Sequence, residues 1–161
     1  MSEETEHRTS NIEHRTSKYF PKEELEGMLC LTVWQPWAWC FFQRGGKDVE
    51  NRLYPAPAAA IGQRMAIHSG LNKKEYDSAR ESIKHLHGLA VPSLRDLPLG
   101  QILGVVTLVG CSQGSPSPWA AEGQWHWQVR DAMPLKTPVV YRGAQGLFRL
   151  HFKDSEQQNL I

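Results

Sequence analysis

Apolar residues along this chain gather in short blocks separated by glycine, proline and charge, a pattern of short strands rather than long helices. No such block occurs in residues 1–27, which are polar and contain EHRTS at Glu6–Ser10 and again at Glu13–Ser17. The repeat carries no apolar seam for a coiled coil, so this segment reads as a disordered N-terminal extension. Structure is expected from Met28. "MLCLTV" reads as a buried strand, and "QPWAWCFFQRGG" as a short helix with Pro36 in its first turn and Gly45 as its stop. "YPAPAAAIG" is a proline-punctuated loop. "QRMAIHSG" follows as a strand with Met65 and Ile67 on one face and Arg64, Ala66 and His68 on the other.

The clearest helical pattern starts at Asn72, with Glu75 as its capping partner and Gly88 as its stop. Tyr76, Ala79, Ile83 and Leu86 form its expected buried line, and Lys73, Lys74, Arg80 and Lys84 its solvated face. "LPLGQILGVVTLVGC" is the strongest strand. "QWHWQV" alternates Trp125, Trp127 and Val129 against polar neighbours, and "GLFRLHF" alternates Phe148, Leu150 and Phe152 against Arg149 and His151. Short strands with one early and one middle helix predict an α+β fold, a small mixed β-barrel with flanking helices. A doubly wound parallel sheet is not predicted. The domain should cover residues 28–154, with 155–161 as a C-terminal tail.

Composition narrows the function classes. At 161 residues the chain fits one domain, and its net charge of +1 provides no global basic field for tracking a long duplex. A nucleic-acid role therefore requires a local patch or a pocket for one nucleotide. Cys30, Cys40 and Cys111 lie in apolar contexts without metal-ligand spacing and read as buried thiols. No segment approaches the ~20 apolar residues of a membrane span, and no signal-peptide core precedes the domain, so a cytoplasmic location is expected. His68, His126 and His151 lack ligand spacing, and no phosphate loop or dinucleotide motif occurs, so neither metal nor cofactor is expected.

Chemistry concentrates in "GGKDVENR", Gly45–Arg52. As a strand it places Asp48, Glu50 and Arg52 on one face and Lys47 on the other. Lys47 and Glu50 converge only if Lys47 sits in the turn that the two glycines permit. Alone, the stretch also reads as a surface turn with a weak Glu–Arg pair. Trp34 and Gln35, at a strand-to-helix junction just upstream, suit stacking and reading an unpaired base, though core packing suits Trp34 as well. His68 and Ser69 end a strand and could supply hydrogen-bond donors and a proton acceptor. Trp119 lies in a loop with no periodicity to bury it, a position suited to ligand contact.

These pieces, in order, resemble the ASCH family of the PUA-like superfamily. "GGKDVENR" is similar to its G-x-K-x-x-E signature, with Gly45, Lys47 and Glu50 in place. "LTVWQPWAW", "IHSG", "LPLGQILGVVTLVGC", "SPWAAEGQWHWQV" and "GAQGLF" resemble its other elements from about Leu29 to His151. The resemblance implies a PUA-like barrel with a cleft lined by Lys47 and Glu50, with His68, Ser69 and Trp119 as neighbours. It also implies binding of RNA or single nucleotides and, in some members, hydrolysis of RNA or of an acylated nucleoside. The amidohydrolases of the family carry K-x-x-T with a threonine nucleophile, and Glu50 here occupies that threonine's position. The expected ligand is single-stranded RNA, a nucleotide or a nucleoside, gripped by Trp34, Gln35, Lys47, Glu50, Arg52, His68, Ser69 and Trp119. If the protein is an enzyme, Lys47 and Glu50 are its catalytic candidates.

Overall fold

The computed structural model describes residues 18–153. The EHRTS repeat and the tail at 155–161 lie outside them. Six strands, β1 (Leu29–Val33), β2 (Val49–Arg52), β3 (Arg64–Ser69), β4 (Gln101–Ser112), β5 (Trp125–Val140) and β6 (Leu147–Arg149), form one sheet. Its order is β2-β5-β4-β3-β1-β6. Only β1 and β3 run parallel, with Thr32 beside His68 and Val33 beside Ser69. The connection between them holds α1 (Trp37–Cys40) and β2, and α2 (Tyr76–His87) follows β3. No helix among the described residues is long and apolar enough to cross a membrane.

Strand alternation sorts the core. Leu31, Val33, Met65 and Ile67 enter one buried cluster with Phe41 and Trp127, while Cys30 and Ala66 from the opposite faces enter a second. The long β4–β5 ladder shifts register between Ile102 and Gly104, Val105 and Thr107, and Leu108 and Gly110. Each irregularity adds local twist, and together they curl the sheet into a half-barrel. At Gly104 a Cβ would lie 2.5 Å from Phe42 Cε1 and 2.6 Å from the Met133 carbonyl, so only glycine permits that approach. The prolines of "RDAMPLKTPVV" obscure this half of β5 in the sequence, yet Pro134 sits opposite Gly104 at a register shift, where a missing ladder donor is tolerated.

Several expectations are corrected. The fold reaches upstream of Met28: Phe20 and Leu25 are buried in the second cluster, and the Phe20 N–H donates to the Pro134 carbonyl at 2.8 Å. The middle helix starts at Tyr76, not Asn72; the Asn72 side chain instead accepts from the Lys74 N–H at 2.9 Å in a turn ahead of the helix. Tyr76, Ala79 and Ile83 are buried as expected, but Leu86 is 68% exposed. Gly88 ends the helix in the left-handed region (φ 68°), its N–H donating to the Lys84 carbonyl. The final strand is only Leu147–Arg149, although Leu150 just beyond it is fully buried.

Candidate functional site

The double glycine sets the site. Gly45 takes φ 68°, and a Cβ on Gly46 would lie 2.2 Å from the Cys40 carbonyl, so the chain folds tightly back under α1. The Lys47 N–H then donates to that same Cys40 carbonyl at 2.9 Å. Lys47 is thus held in a turn just before β2, the one placement that lets its side chain reach Glu50. Lys47 Nζ donates to Glu50 Oε1 at 2.9 Å and to the Val49 carbonyl, and it lies 4.8 Å from the Phe41 ring centre. Arg52, two residues along the same strand face as Glu50, donates to Glu50 Oε2 from Nη2 at 2.8 Å and from Nε at 3.2 Å. Its Nη2 also donates to the Thr32 carbonyl on β1 at 2.9 Å.

Lys47 and Glu50 are 5% and 6% exposed. Burial by itself would raise the Glu50 pKa. The charges of Lys47 and Arg52, with their hydrogen bonds, outweigh it and hold the carboxyl below its ordinary value. The group is therefore a buried carboxylate shared by two cations, formally +1. It forms the floor of a cavity of about 670 Å³, whose lining includes Thr32, Trp34, Trp37, Asn51, Tyr54 and Gln124, closed on one side by Ala144–Gly146.

The other expected residues divide. Trp34 lines the cavity and is 48% exposed, with its indole packed over Gly70, where a Cβ would lie 2.9 Å from Trp34 Cδ1. Gln35 does not face the cavity. Its amide donates to the Pro98 carbonyl at 3.0 Å and accepts from the Trp39 N–H at 2.9 Å, so it fixes the start of α1. His68 is buried with Nε2 at 2.7 Å from the Tyr141 carbonyl and Nδ1 at 3.2 Å from Thr32 Oγ1. A carbonyl only accepts, so the ring proton sits on Nε2 and the Thr32 hydroxyl donates to Nδ1. Ser69 is fully buried, donating to the Gln101 carbonyl at 3.1 Å and accepting from the Gln101 N–H. Trp119 is 7% exposed and stacks on His87, centroids 3.5 Å apart and planes 4° from parallel. Burial, and secondarily the charge of Lys47, lowers the His87 pKa. His68, Ser69 and Trp119 are therefore built into the scaffold around the cleft.

Asn51, Tyr54 and Gln124 also line the cavity, beyond the residues the sequence leads one to expect. Asn51 donates to the Trp119 carbonyl at 2.9 Å and accepts from the Ala121 N–H at 2.8 Å, which fastens the facing loop to β2. His126 holds the same loop through Ser115 and Ala121. Tyr54 was the legible one: an aromatic two residues after the charged motif, ahead of Pro55, with no alternation to bury it.

The architecture is similar to that of the crystal structure of ASCH from Zymomonas mobilis, with TM-score 0.50 and 18% identity over 83% of this chain and 93% of that one. This is an ASCH fold. A mutant protein of the same Zymomonas mobilis ASCH aligns with TM-score 0.49 and 18% identity over 84% of this chain and 96% of that one. No family model matches the chain. By sequence, 90 residues are 32% identical to activating signal cointegrator 1 of Homo sapiens, 56% of this chain but 15% of that protein. The chain thus corresponds to a small part of that relative's length. Within its ASCH fold, the cleft is built by Lys47 in the turn before β2 and by Glu50 and Arg52 on β2, with Trp34, just past the end of β1, lining it as well.

Proposed function

We propose that this ASCH-fold cleft binds an unpaired base of single-stranded RNA, or a free nucleotide or nucleoside. The carrying observation is a half-exposed tryptophan and a buried, charged floor lining one cavity. Its volume of about 670 Å³ lies within the ~300–1,000 Å³ of small-molecule sites. Trp34 supplies the stacking face, and Arg52 and Lys47 supply donors. The net charge of +1 suits a short ligand better than a long backbone, and such a ligand is available in the cytoplasm.

A hydrolase reading gains less. Glu50 is a weak base while two cations hold it, and the Ser69 hydroxyl is spent inside the sheet. Binding is tested by titrating short single-stranded RNA at low salt into the wild type and Trp34→Ala. Stacking worth ~1–3 kcal/mol per base predicts roughly 5–150-fold weaker binding in the variant. Equal affinity in the two proteins would remove Trp34, and the reading with it.

A further inference from the structure

The hydrogen-bond capacity left unspent on the cleft floor indicates which end of a nucleotide enters it. Both Glu50 oxygens are taken, one by Lys47 and one by Arg52. An ammonium has three N–H groups and a guanidinium five. Lys47 uses its donors on Glu50 and the Val49 carbonyl, leaving one. Arg52 uses Nε and Nη2, and its Nη1 has no partner among the described residues. What faces the cavity from the floor thus has N–H groups to spare and is formally +1, with side chains 3% exposed for Lys47, 8% for Glu50 and 22% for Arg52.

A neutral base carbonyl could accept from such a floor but would leave its charge uncompensated in a poorly solvated place. An anionic oxygen answers both needs. The aromatic surface lies elsewhere. Trp34 and Tyr54 are 48% and 45% exposed, at the rim. Trp34, the first residue past β1, is two residues on from Thr32, whose carbonyl holds Arg52, a separation of roughly 7 Å for extended chain. Charge is deep and stacking is shallow.

We propose that the cleft seats a terminal phosphate monoester on Lys47 and Arg52, with its own base against Trp34 at the rim. The ligand class is a nucleoside monophosphate or a phosphorylated strand end. A monoester carries about −1.5 to −2 charges near neutral pH, more than a chain-internal diester, and needs no exit for a second strand arm. This inference rests on the base-binding reading above.

The test is calorimetric titration of the wild type with a nucleoside, its 5′- and 3′-monophosphates, and short RNA ending in phosphate or in hydroxyl. A monophosphate should bind roughly 10-fold or more tightly than its nucleoside, and inorganic phosphate should compete. The oligomer arms separate a strand end from a free nucleotide. Arg52→Gln should erase the advantage of the monophosphate, and Arg52→Lys should restore part of it. Trp34→Ala should weaken nucleoside and monophosphate alike. Equal binding of nucleoside and monophosphate by the wild type would overturn the phosphate-first orientation while leaving base binding intact. No binding of any nucleoside, nucleotide or oligomer would overturn both.

Discussion

Replacing Glu50 with glutamine keeps the shape of the side chain and removes its charge, which isolates what the carboxylate does. In the native protein it faces Lys47 at 2.9 Å and Arg52 at 2.8 Å, with 8% of its side chain exposed. At an effective dielectric of ~20, each contact is a Coulomb attraction of roughly 5–6 kcal/mol, opposed by the cost of desolvating all three ions. Glu50→Gln loses both attractions but recovers no solvation for the two cations, which then face each other across a neutral amide. Removing one member of a buried ion pair costs ~3–5 kcal/mol, and at ~2–4 °C per kcal/mol the melting temperature should fall by roughly 6–20 °C. Urea unfolding at pH 7 measures this directly.

The pH dependence adds a second check. Because the Glu50 pKa is lowered in the folded state, its contribution is complete above the ordinary carboxylate value of 4.5 and is lost as pH falls through the folded value. The gap between wild type and Glu50→Gln should therefore narrow in acid, where the wild-type side chain also becomes neutral. A variant within ~1 kcal/mol of wild type at pH 7 would show that the three-ion floor does not hold the fold. A gap that stays constant into acid would show that charge is not the cause.

Two other expectations follow from burial. Trp119→Ala should cost ~3–5 kcal/mol in denaturant unfolding through loss of packing against His87 and α2, while the folded fraction still binds RNA; selective loss of binding would return Trp119 to the cleft. Burial pushes the Cys30 and Cys40 thiols up from 9.0 to about 12, so a thiol reagent at pH 8 should modify half-buried Cys111 first and reach the other two only on unfolding. Unfolded thiols ionise near 9 while these two remain protonated, so they make stability fall as pH rises from 9.0 towards about 12.

How much of the site was legible depended on whether a residue's partner was local. The meeting of Lys47 and Glu50 follows from two glycines and a strand period, all within a few residues, and the structure forms it as read. Gln35, at a strand-to-helix junction, and His68 and Ser69, at a strand end, carry the sequence signature of ligand groups. Their partners are the carbonyls of Pro98, Tyr141 and Gln101, distant in sequence, and nothing local shows that those bonds are taken. The two tryptophans differ for a similar reason. Trp34 follows a strand whose neighbour ends in glycine, so its ring lies over Gly70 and stays open, whereas loop Trp119 is covered by a helix that starts 43 residues earlier. The prolines of β5 pointed away from a strand because the register shift that accommodates Pro134 belongs to its pairing with β4.

The same long-range geometry explains why the cleft lies where it does. In the sheet order, β5, β4 and β3 stand between β2 and β1, so no backbone ladder joins the strand that carries Arg52 to the one that leads into Trp34. Yet Arg52 Nη2 reaches the Thr32 carbonyl at 2.9 Å, which requires the sheet to curl until β2 faces β1. One guanidinium thus bridges the gap in the half-barrel with one hand and secures Glu50 with the other. Its Nη1 has no partner among the described residues, and Arg52 lines the opening. The cleft is the unpaired seam of the sheet, and a side chain rather than a strand spans it. A backbone pair there would satisfy its own donors and leave nothing for a ligand, whereas an arginine spans the same distance with N–H groups to spare. Glu50 then has a purpose beyond reacting. It lowers the charge of the two cations to a net single charge, the charge that the proposed phosphate would meet.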